Sequence, residues 1–290
     1  MPARQPFTAL CQALARPRLS GRVDLHLHTH FSDGLYSPAQ LVEFAKRSGL
    51  SAIAVTDHDT LNGVPHARLA ATGTGVEIVS GCEITAEYRG RELHLLAYFV
   101  RLDDPALNAA LERLRRSRIT RFHDMVERLR ESGVTLDAEK LRQTGKSDVL
   151  GRRHLAELLV QAKKASTIRE AFVRYLGDKG RFAVAKTRLP VQEAIALVRG
   201  AGGVAAWAHP PYDWLKEGLV ELSSWGLGAL EVEYPSHRQS RIRLMRTLAA
   251  SLDLAITGGS DCHGPEPLAR AVGACTIDAS ELDVLRRKCA

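Results

Sequence analysis

Nine histidines and carboxylates in this sequence are candidates for metal binding, because most of them follow short apolar runs or lie within them. They are His26, His28, Asp33, His58, Glu83, His94, His209, Asp261 and His263. Neutral imidazole rings and ionised carboxylates are suitable ligands for zinc, manganese or iron(II). The set exceeds what one ion needs, so it predicts a cluster of two or three ions that share bridging carboxylates.

Two pairs of these residues have the spacing of side chains on one face of a strand. His26 and His28 are two positions apart, as are Asp261 and His263. Because strand side chains alternate between faces, the members of each pair point to the same side and the residue between them points away. Three further carboxylates are predicted to orient neighbouring ligands rather than to bind metal: Asp24, Asp57 and Asp59.

Short apolar runs alternate with helical patterns along most of the chain. We predict strands at 22–28, 51–56, 76–83, 92–100, 203–208, 230–233 and 254–257, and helices at 38–48, 106–131 and 190–199. This alternation indicates a parallel sheet, open or closed, whose carboxyl edge collects the candidate ligands. The stretch 101–199 breaks the pattern and is predicted to be an inserted helical subdomain, while 1–21 is predicted to be an N-terminal extension.

The composition allows a large folded unit and suggests an anionic substrate. The chain has 290 residues, of which 45% are hydrophobic and 25% charged, and its net charge is +7. A mildly basic protein often handles phosphates or nucleic acid. The five cysteines form no CxxC pair, and no apolar run resembles a signal peptide or a membrane span, so we expect a reduced, cytoplasmic protein.

Six separated segments together resemble the PHP (polymerase and histidinol phosphatase) superfamily. They are DLHLHTHFSDG (24–34), TDHD (56–59), GCEIT (81–85), LHL (93–95), AHP (208–210) and GGSDCH (258–263). The resemblance implies an α/β fold, a distorted (β/α)7 barrel formed by 22–100 and 200–290, with a helical insertion at 101–199 that caps the active site. It also implies three metal ions.

The resemblance assigns each candidate ligand to an ion. It implies His26, His28, Glu83 and Asp261 for the first ion, Asp33, His58 and His209 for the second, and Glu83, His94 and His263 for the third, with Glu83 as the bridge. Many members of the superfamily have histidine where this chain has Asp33. The carboxylate makes that site harder, which favours manganese over zinc or iron.

The long insertion and the segment 151–154 resemble one branch of the superfamily. That branch includes nucleoside 3',5'-bisphosphate phosphatases and 5'-to-3' exoribonucleases that act on short RNA. The resemblance implies that Arg152 and His154 bind substrate, although this chain has Arg153 where relatives often have proline. A nucleoside bisphosphate or a short RNA is therefore the expected partner, with neither a membrane nor an obligate protein partner.

The candidate residues suggest a mechanism for phosphate ester hydrolysis. A hydroxide that bridges two ions would attack phosphorus, and Asp261 would accept the proton of the nucleophile. His237 is the candidate that protonates the leaving 3'-oxygen or contacts the substrate. Arg152, His154 and Lys179 would hold the second phosphate, since arginine matches the geometry of phosphate oxygens.

Other functions remain open on the sequence alone. A histidinol phosphate phosphatase would not need a second anion site, and a metal-dependent amide or lactone hydrolase would use the same kind of cluster. A non-catalytic module that binds metal or nucleic acid is the alternative from another class, although the complete ligand set argues against it. The aromatic residue that would contact a base is also undecided among Tyr212, Trp214, Tyr234, Phe172 and Tyr175.

Overall fold

A computed structural model describes residues 21–138, 149–177 and 180–289. The predicted N-terminal extension, apart from Gly21, and the predicted phosphate ligand Lys179 lie outside the described residues. The strands are β1 (Arg22–Leu27), β2 (Leu50–Val55), β3 (Glu77–Tyr88), β4 (Arg91–Tyr98), β5 (Leu189–Pro190), β6 (Val204–Trp207), β7 (Ala229–Glu233), β8 (Ala255–Gly258) and β9 (Ile277–Asp278).

The helices alternate with these strands, except in the inserted segment. They are α1 (Pro38–Arg47), α2 (Gly63–Ala71), α3 (Pro105–Glu131), α4 (Arg152–Gln161), α5 (Ile168–Ala171), α6 (Val191–Gly200), α7 (Leu215–Ser224), α8 (Gln239–Ser251) and α9 (Ala279–Arg287), with a π-helical turn at Phe172–Leu176 and a 3₁₀ turn at Leu268–Arg270. Ser37 caps α1 through a capping box, and Asp104 caps α3 by accepting a hydrogen bond from Leu107 N. In both helices a proline follows the capping residue directly, at the first helical position.

The sheet is mixed, which corrects the prediction of a parallel sheet. Its strand order is β8-β7-β6-β4-β3-β2-β1-β9, and β5 pairs with β3. β4 runs antiparallel to β3 and β6, and β9 runs antiparallel to β1. Only Arg89 and Gly90 separate β3 from β4, and both have positive φ, the backbone of a tight hairpin turn. Two residues cannot form the long crossover that a parallel pair requires.

The sheet curves until its first and last parallel strands meet, so the protein is a nearly closed α/β barrel, as predicted. The segment that follows β8 returns to β1: Asp261 N donates to His26 O at 2.8 Å, and His28 N donates to Cys262 O at 3.0 Å. This contact brings the residues after β8 against the end of β1. The barrel therefore closes where candidate ligands from both ends of the chain are located.

The two faces of the barrel strands belong to two hydrophobic cores. In β2, Ala52 and Ala54 join one core, while Ile53 and Val55 join the other beneath the surrounding helices. This alternation follows from the two-residue repeat of a strand. Among the described helices, none is long and apolar enough to cross a bilayer.

The insertion has a core of its own but shares α3 with the barrel. Leu107 and Leu114 in the first half of α3 pack in the barrel core, whereas Phe122 and Leu129 in the second half pack against α4. Helix α6, which falls inside the predicted range 101–199, packs against β3, β4 and β6. The shared helix gives the inserted segment a rigid base next to the site.

Candidate metal centre

The nine predicted ligands come together at one end of the barrel. His26 lies in β1, Glu83 in β3 and His94 in β4. The other six lie in the loops that follow β1, β2, β6 and β8: His28, Asp33, His58, His209, Asp261 and His263. The strands thus hold a central carboxylate, and the loops close around it.

Glu83 is the centre of the cluster, because both of its oxygens face histidine rings. Its Oε2 lies 3.3 Å from His26 Nε2, 3.2 Å from His28 Nε2 and 3.2 Å from His58 Nδ1. Its Oε1 lies 2.7 Å from His94 Nδ1 and 3.0 Å from His209 Nε2. A carboxylate with ligand atoms on both oxygens has the arrangement expected of a bridging ligand.

Asp33 and His263 form a second group beside the first. Asp33 Oδ1 is 3.2 Å from His263 Nε2, 3.8 Å from His28 Nδ1 and 3.9 Å from His58 Nε2. The rings of His28 and His263 stack with centroids 4.1 Å apart. His28 therefore contacts both groups, one through each ring nitrogen.

Three sets of ligand atoms lie within 4.8 Å of one another and could each hold an ion. They are His26, His28, Glu83 and Asp261, then His28, Asp33, His58 and His263, then His58, Glu83 and His94. The first set is the one that the sequence resemblance implied. The other two differ from the implied sets: His263 lies with Asp33, and His209 belongs to none of the three sets, although its Nε2 lies 3.0 Å from Glu83 Oε1. The backbone explains the first difference: Leu35 N donates to His263 O at 2.8 Å, so the two loops run side by side.

Several ligand atoms in the cluster are buried and lack a hydrogen bond. They are both ring nitrogens of His28, Asp33 Oδ1, His58 Nδ1 and His94 Nε2. Leaving a buried polar atom unsatisfied costs about 1–3 kcal/mol, so several at one place need a compensating ligand. Divalent cations fit these nitrogen and oxygen donors, and the residues therefore fit a cluster of metal ions.

The charges of the cluster depend on one another. Burial alone would lower the pKa of His28, but Asp261 and Glu83 raise the pKa of this ring to about 10 in the ion-free protein. Burial would raise the pKa of both carboxyl groups, yet the surrounding imidazoles hold the pKa of each well below its usual range. A cation would replace the ring proton as the positive partner of these carboxylates.

Glu231 is a buried carboxylate that the sequence did not reveal as part of the site. Its Oε1 lies 2.7 Å from His26 Nδ1, and its Oε2 accepts from His209 N at 2.5 Å. The contact with Nδ1 leaves Nε2 of His26 as the atom that faces Glu83 and Asp261. From its position in β7, Glu231 thus orients His26 and His209. The one sequence signal of a buried charge was a glutamate between two apolar residues in the strand segment LEVE.

The three aspartates predicted to orient ligands hold the loops of the cluster. Asp24 accepts from Ser260 N and Oγ, Asp57 accepts from Thr29 N and Oγ1, and Asp59 accepts from Thr85 N and Oγ1. Each bond joins two strand ends that are far apart in sequence.

Three residues of the site have a left-handed backbone, which residues other than glycine seldom adopt. Asp59 has φ 52°, His209 has φ 28° and Asp261 has φ 52°.

Asp261 divides its two oxygens between the cluster and the protein around it. Oδ1 faces the rings of His26, His28 and His263 at 3.2–3.4 Å. Oδ2 accepts from Tyr234 OH at 2.8 Å and also contacts the guanidinium of Arg270. The sequence analysis predicted neither contact. Tyr234, which was a candidate for contact with a base, instead donates a hydrogen bond to a candidate metal ligand.

His237 lies beside Tyr234, just outside the cluster. The two rings are 5.2 Å apart, and Tyr234 is in turn 5.4 Å from the ring of His209. His237 Nδ1 is 2.9 Å from Val232 O and must donate to it, which leaves Nε2 as an acceptor in the neutral ring. Burial lowers the pKa of His237, so the neutral form is favoured at pH 7.

The insertion reaches the opposite end of the cluster. Arg118 of α3 donates to Asp59 Oδ2 at 2.5 Å and to Thr85 Oγ1 at 2.7 Å. His154, in the first turn of α4, is buried, and the negative charge of Asp33 acts on it. Gly151 N donates to His154 Nδ1 at 3.1 Å, so the other ring nitrogen carries the proton. Arg152 donates to Leu176 O, which holds its guanidinium within the insertion.

A cavity of about 360 Å³ opens beside His94 and His209 and has Arg188 in its wall. Arg188 and Lys186 both bond Glu92, at 3.0 and 2.6 Å, and Glu92 lies 3.3 Å from His94 Nε2. Burial lowers the pKa of Lys186 to about 8. The cavity thus opens onto two of the candidate ligands, with Glu92 and Arg188 of opposite charge in its wall.

Comparison with known proteins identifies relatives along nearly the whole chain. The family model for the PHP domain matches residues 24–177. A 5'-3' exoribonuclease of Haemophilus influenzae is 31% identical over 85% of this chain and 92% of its own length. A 3',5'-nucleoside bisphosphate phosphatase of Chromobacterium violaceum is 28% identical over 87% of this chain and 90% of its own.

A third relative and a solved structure are also similar to this chain over most of its length. A phosphoribosyl 1,2-cyclic phosphate 1,2-diphosphodiesterase of Eggerthella lenta is 33% identical over 83% of this chain and 94% of its own. The crystal structure of a protein from Bifidobacterium adolescentis, assigned as a metal-dependent phosphoesterase, is 31% identical. It has a TM-score of 0.84 and covers 95% of this chain and 98% of its own. The relatives named as enzymes act on phosphate esters but differ in substrate.

Proposed function

Because the chain belongs to the PHP domain family and is a metal-dependent phosphoesterase, we propose that its substrate is a nucleoside 3',5'-bisphosphate. Water would cleave the bond between phosphorus and the 3'-oxygen, which yields a 5'-nucleotide and inorganic phosphate. The observation that carries this proposal is the position of the insertion, which brings a second set of polar donors to one end of the metal cluster.

The second set of donors suits a second phosphate. His154 carries its ring proton at Nε2 at the start of α4, where the helix dipole also favours an anion. Arg118 and Arg152 line one small cleft together with Gly151, the residue before α4. A bisphosphate needs one anion site in addition to the metal cluster, whereas histidinol phosphate does not. This difference favours the nucleotide over the amino alcohol phosphate.

The metal content is part of the proposal: three ions, of which manganese fits best. The three sets of ligand atoms supply one site each. Carboxylate oxygens from Asp33, Glu83 and Asp261 make the donors harder than histidines alone, and manganese accepts such mixed donors. When bound, the ions would activate water and neutralise the phosphoryl oxygens.

Two residues of the chain are proposed to move protons. Asp261 is ionised, and its Oδ1, which faces the rings of the candidate ligands, is proposed to accept the proton of the attacking water. His237 is proposed to contact the leaving 3'-oxygen. Its neutral ring carries the proton at Nδ1, so Nε2 must first take up a proton from water before it can donate one to the leaving 3'-oxygen.

A short RNA attacked from its 5' end is the second candidate substrate. Removal of a 3'-phosphate and cleavage of a 3'-linked phosphodiester break the same bond between phosphorus and oxygen. The similarity to an exoribonuclease over most of both chains supports this candidate. The two activities differ only in whether a further nucleotide is attached to the scissile phosphate.

A panel of phosphate esters tests the proposal. Manganese-loaded protein would be given adenosine 3',5'-bisphosphate, 5'-AMP, 3'-AMP, histidinol phosphate and a 5'-phosphorylated RNA trinucleotide, and the products would be quantified. We expect the bisphosphate to exceed both monophosphates in kcat/KM by at least about tenfold, because only the bisphosphate engages two anion sites. Equal rates on the three nucleotides, or activity on histidinol phosphate alone, would contradict the proposal.

A further inference from the structure

A second cavity lies on the side of the cluster that carries His209 and His237, away from His154 of the insertion. It has a volume of about 340 Å³ and is lined by Tyr212, Ser236, Arg238, Ser240, Arg241 and Leu244. Two arginines, two hydroxyls and one aromatic ring face this space, and no carboxylate does. These are the groups that bind a phosphate together with an aromatic base.

The arginines of this cavity have no acidic partner in the described part of the chain. Within the described residues, neither Arg238 nor Arg241 forms an ion pair with a carboxylate, whereas Arg246 on the same helix bonds both Glu233 and Glu281. Arg241 donates to Pro210 O, and its Nε is buried without a hydrogen bond. Two positive charges on one helical turn thus remain available to an anion.

The aromatic wall of the cavity is held in place but exposed. The guanidinium of Arg241 lies 5.9 Å from the centre of the Tyr212 ring, and Tyr212 is 67% exposed. An exposed ring fixed by a cation is a suitable surface for base stacking. Among the aromatic residues considered from the sequence, Tyr212 is the one that shares a cavity with unpaired arginines.

The cavity and His154 of the insertion lie at opposite ends of a row of rings that crosses the ligand cluster. A chain of neighbouring rings runs from His263 through His28, His26 and His209 to Tyr234 and His237, with successive centroids 4.1–5.9 Å apart. The negative charge of Asp33 acts on His154 at the first end. Ser236 and Arg238 flank His237 at the second end, and Tyr212 follows three residues after His209.

We infer that this cavity, which we call the Tyr212 cavity, binds the nucleotide on the 3' side of the scissile phosphate of a short RNA. The inference rests on the proposed function, because it assumes that the 5' nucleotide occupies the insertion side. Arg238 and Arg241 would contact the next phosphate, and Tyr212 would stack on the base. Water attacks phosphorus, the bond to the 3'-oxygen breaks and that oxygen takes a proton. The products are a 5'-nucleotide and an RNA with a new 5'-phosphate.

The Tyr212 cavity separates two substrate classes, because a nucleoside bisphosphate carries nothing beyond its 3'-phosphate. Substitutions in this cavity should therefore impair RNA and spare the mononucleotide. The matched pair is Arg238→Ala and Arg243→Ala: Arg238 is the N-cap of α8 and Arg243 lies in its first turns, and both are exposed, but Arg243 does not line the cavity. Tyr212→Ala tests the stacking surface separately.

Hydrolysis and binding would be measured on the full chain. For R238A and Y212A we expect kcat/KM on a 5'-phosphorylated RNA trinucleotide to fall about tenfold each, while kcat/KM on adenosine 3',5'-bisphosphate stays within about twofold. R243A should leave both unchanged. Fluorescence anisotropy with a 3'-labelled trinucleotide in EDTA reports binding without turnover, and R238A should reduce the slope of log K against log salt by about 0.7.

The outcomes separate this inference from the proposed function. Equal losses on both substrates, or no loss on RNA with R238A and Y212A, would overturn the Tyr212 cavity as an RNA site. Bisphosphate hydrolysis without any RNA hydrolysis or binding would also overturn it and leave the proposed phosphatase standing. Binding of RNA that depends on Arg238, in a protein that hydrolyses neither nucleotide, would support the cavity and contradict the proposed function.

Discussion

A buried carboxylate that binds no ion can still control a metal site. Glu231 is fully buried and contacts His26 Nδ1 and His209 N at the same time. It fixes which nitrogen of His26 faces the cluster and raises the basicity of that ring. The position of two ligands from different strands therefore depends on a residue that none of the sequence motifs contains.

Replacing Glu231 tests this role. We expect Glu231→Gln to weaken metal binding by about 10- to 100-fold. The neutral amide cannot raise the basicity of the His26 ring or fix which of its nitrogens faces the cluster as the carboxylate does. The matched control is Glu233→Gln, on the same strand, whose carboxylate bonds Arg246 instead of a ligand. Metal affinity would be measured by titration of chelator-treated protein, with circular dichroism to verify folding. An affinity equal in the two variants would contradict the role of Glu231.

Asp261 has two roles in the proposal, and one substitution separates them. Asp261→Asn keeps the shape of the side chain but removes its capacity to take a proton, so we expect kcat to fall by about 10²–10⁴-fold. Metal content would be measured on the same preparation. A variant that retains its ions and near-normal turnover would exclude Asp261 as the proton acceptor, and a variant that loses its ions would show that Asp261 acts as a ligand first.

The ligands were predictable from sequence because their signal is local. A histidine or carboxylate at the end of an apolar run can be read without knowledge of the fold. Arg118 and Arg270 gave no such signal, since neither lies in a motif: Arg118 reaches Asp59 from α3, and Arg270 reaches Asp261 from the 3₁₀ turn. The assignment of His263 and His209 to particular ions stays a prediction, because it depends on which loops run side by side and on ions whose positions the sequence does not give.

At the level of elements, the closure of the barrel depends on close backbone approach. An added Cβ at Gly259 would lie 2.4 Å from His26 N and 2.7 Å from Asp24 Oδ1. Only a residue without a side chain allows the segment after β8 to reach β1. The glycine therefore contributes to the cluster by permitting the contact that brings Asp261 next to His26.

We expect Gly259→Ala to destabilise the protein by roughly 1–3 kcal/mol, because the backbone of β1 must shift to admit the methyl group. The shift should also weaken metal binding. Gly200→Ala is the matched control, since an added Cβ there meets nothing within 4 Å. Urea unfolding of both variants would measure the difference, and equal stability would show that the strand ends can separate without cost.

Element types were predictable, but the direction of one strand was not. Helix α3 was predicted at 106–131 and lies at Pro105–Glu131. Its start is readable in the sequence because Asp104 is a typical capping residue and Pro105 a typical first helical residue. The β3–β4 hairpin escaped prediction because Arg89 stands where such a turn usually has asparagine, aspartate or glycine, although Gly90 is typical of its second position. The predicted insertion range 101–199 could not show that α6 packs on the barrel, since that contact is made across the fold.

At the scale of the whole molecule, the ion-free cluster links stability to pH. Asp261 and Glu83 raise the pKa of His28 to about 10, against about 6.5 for an unfolded histidine. A raised pKa in the folded state stabilises the ion-free protein fully below about pH 6.5, and this contribution is lost as pH rises toward 10. Metal ions compete with that same proton, so their affinity should rise over the same interval.

Thermal unfolding with and without metal therefore should diverge as pH increases. We expect the difference in Tm between manganese-loaded and EDTA-treated protein to widen from pH 6.5 to pH 8.5, since the ion-free state loses stability while metal binding tightens. His28→Asn should flatten this trend, and His66→Gln, an exposed histidine outside the cluster, should preserve it. A difference in Tm that stays constant across this range would mean that the proton on His28 and the ions do not compete. The cluster would then hold its charge balance in some way other than the exchange of a proton for a cation.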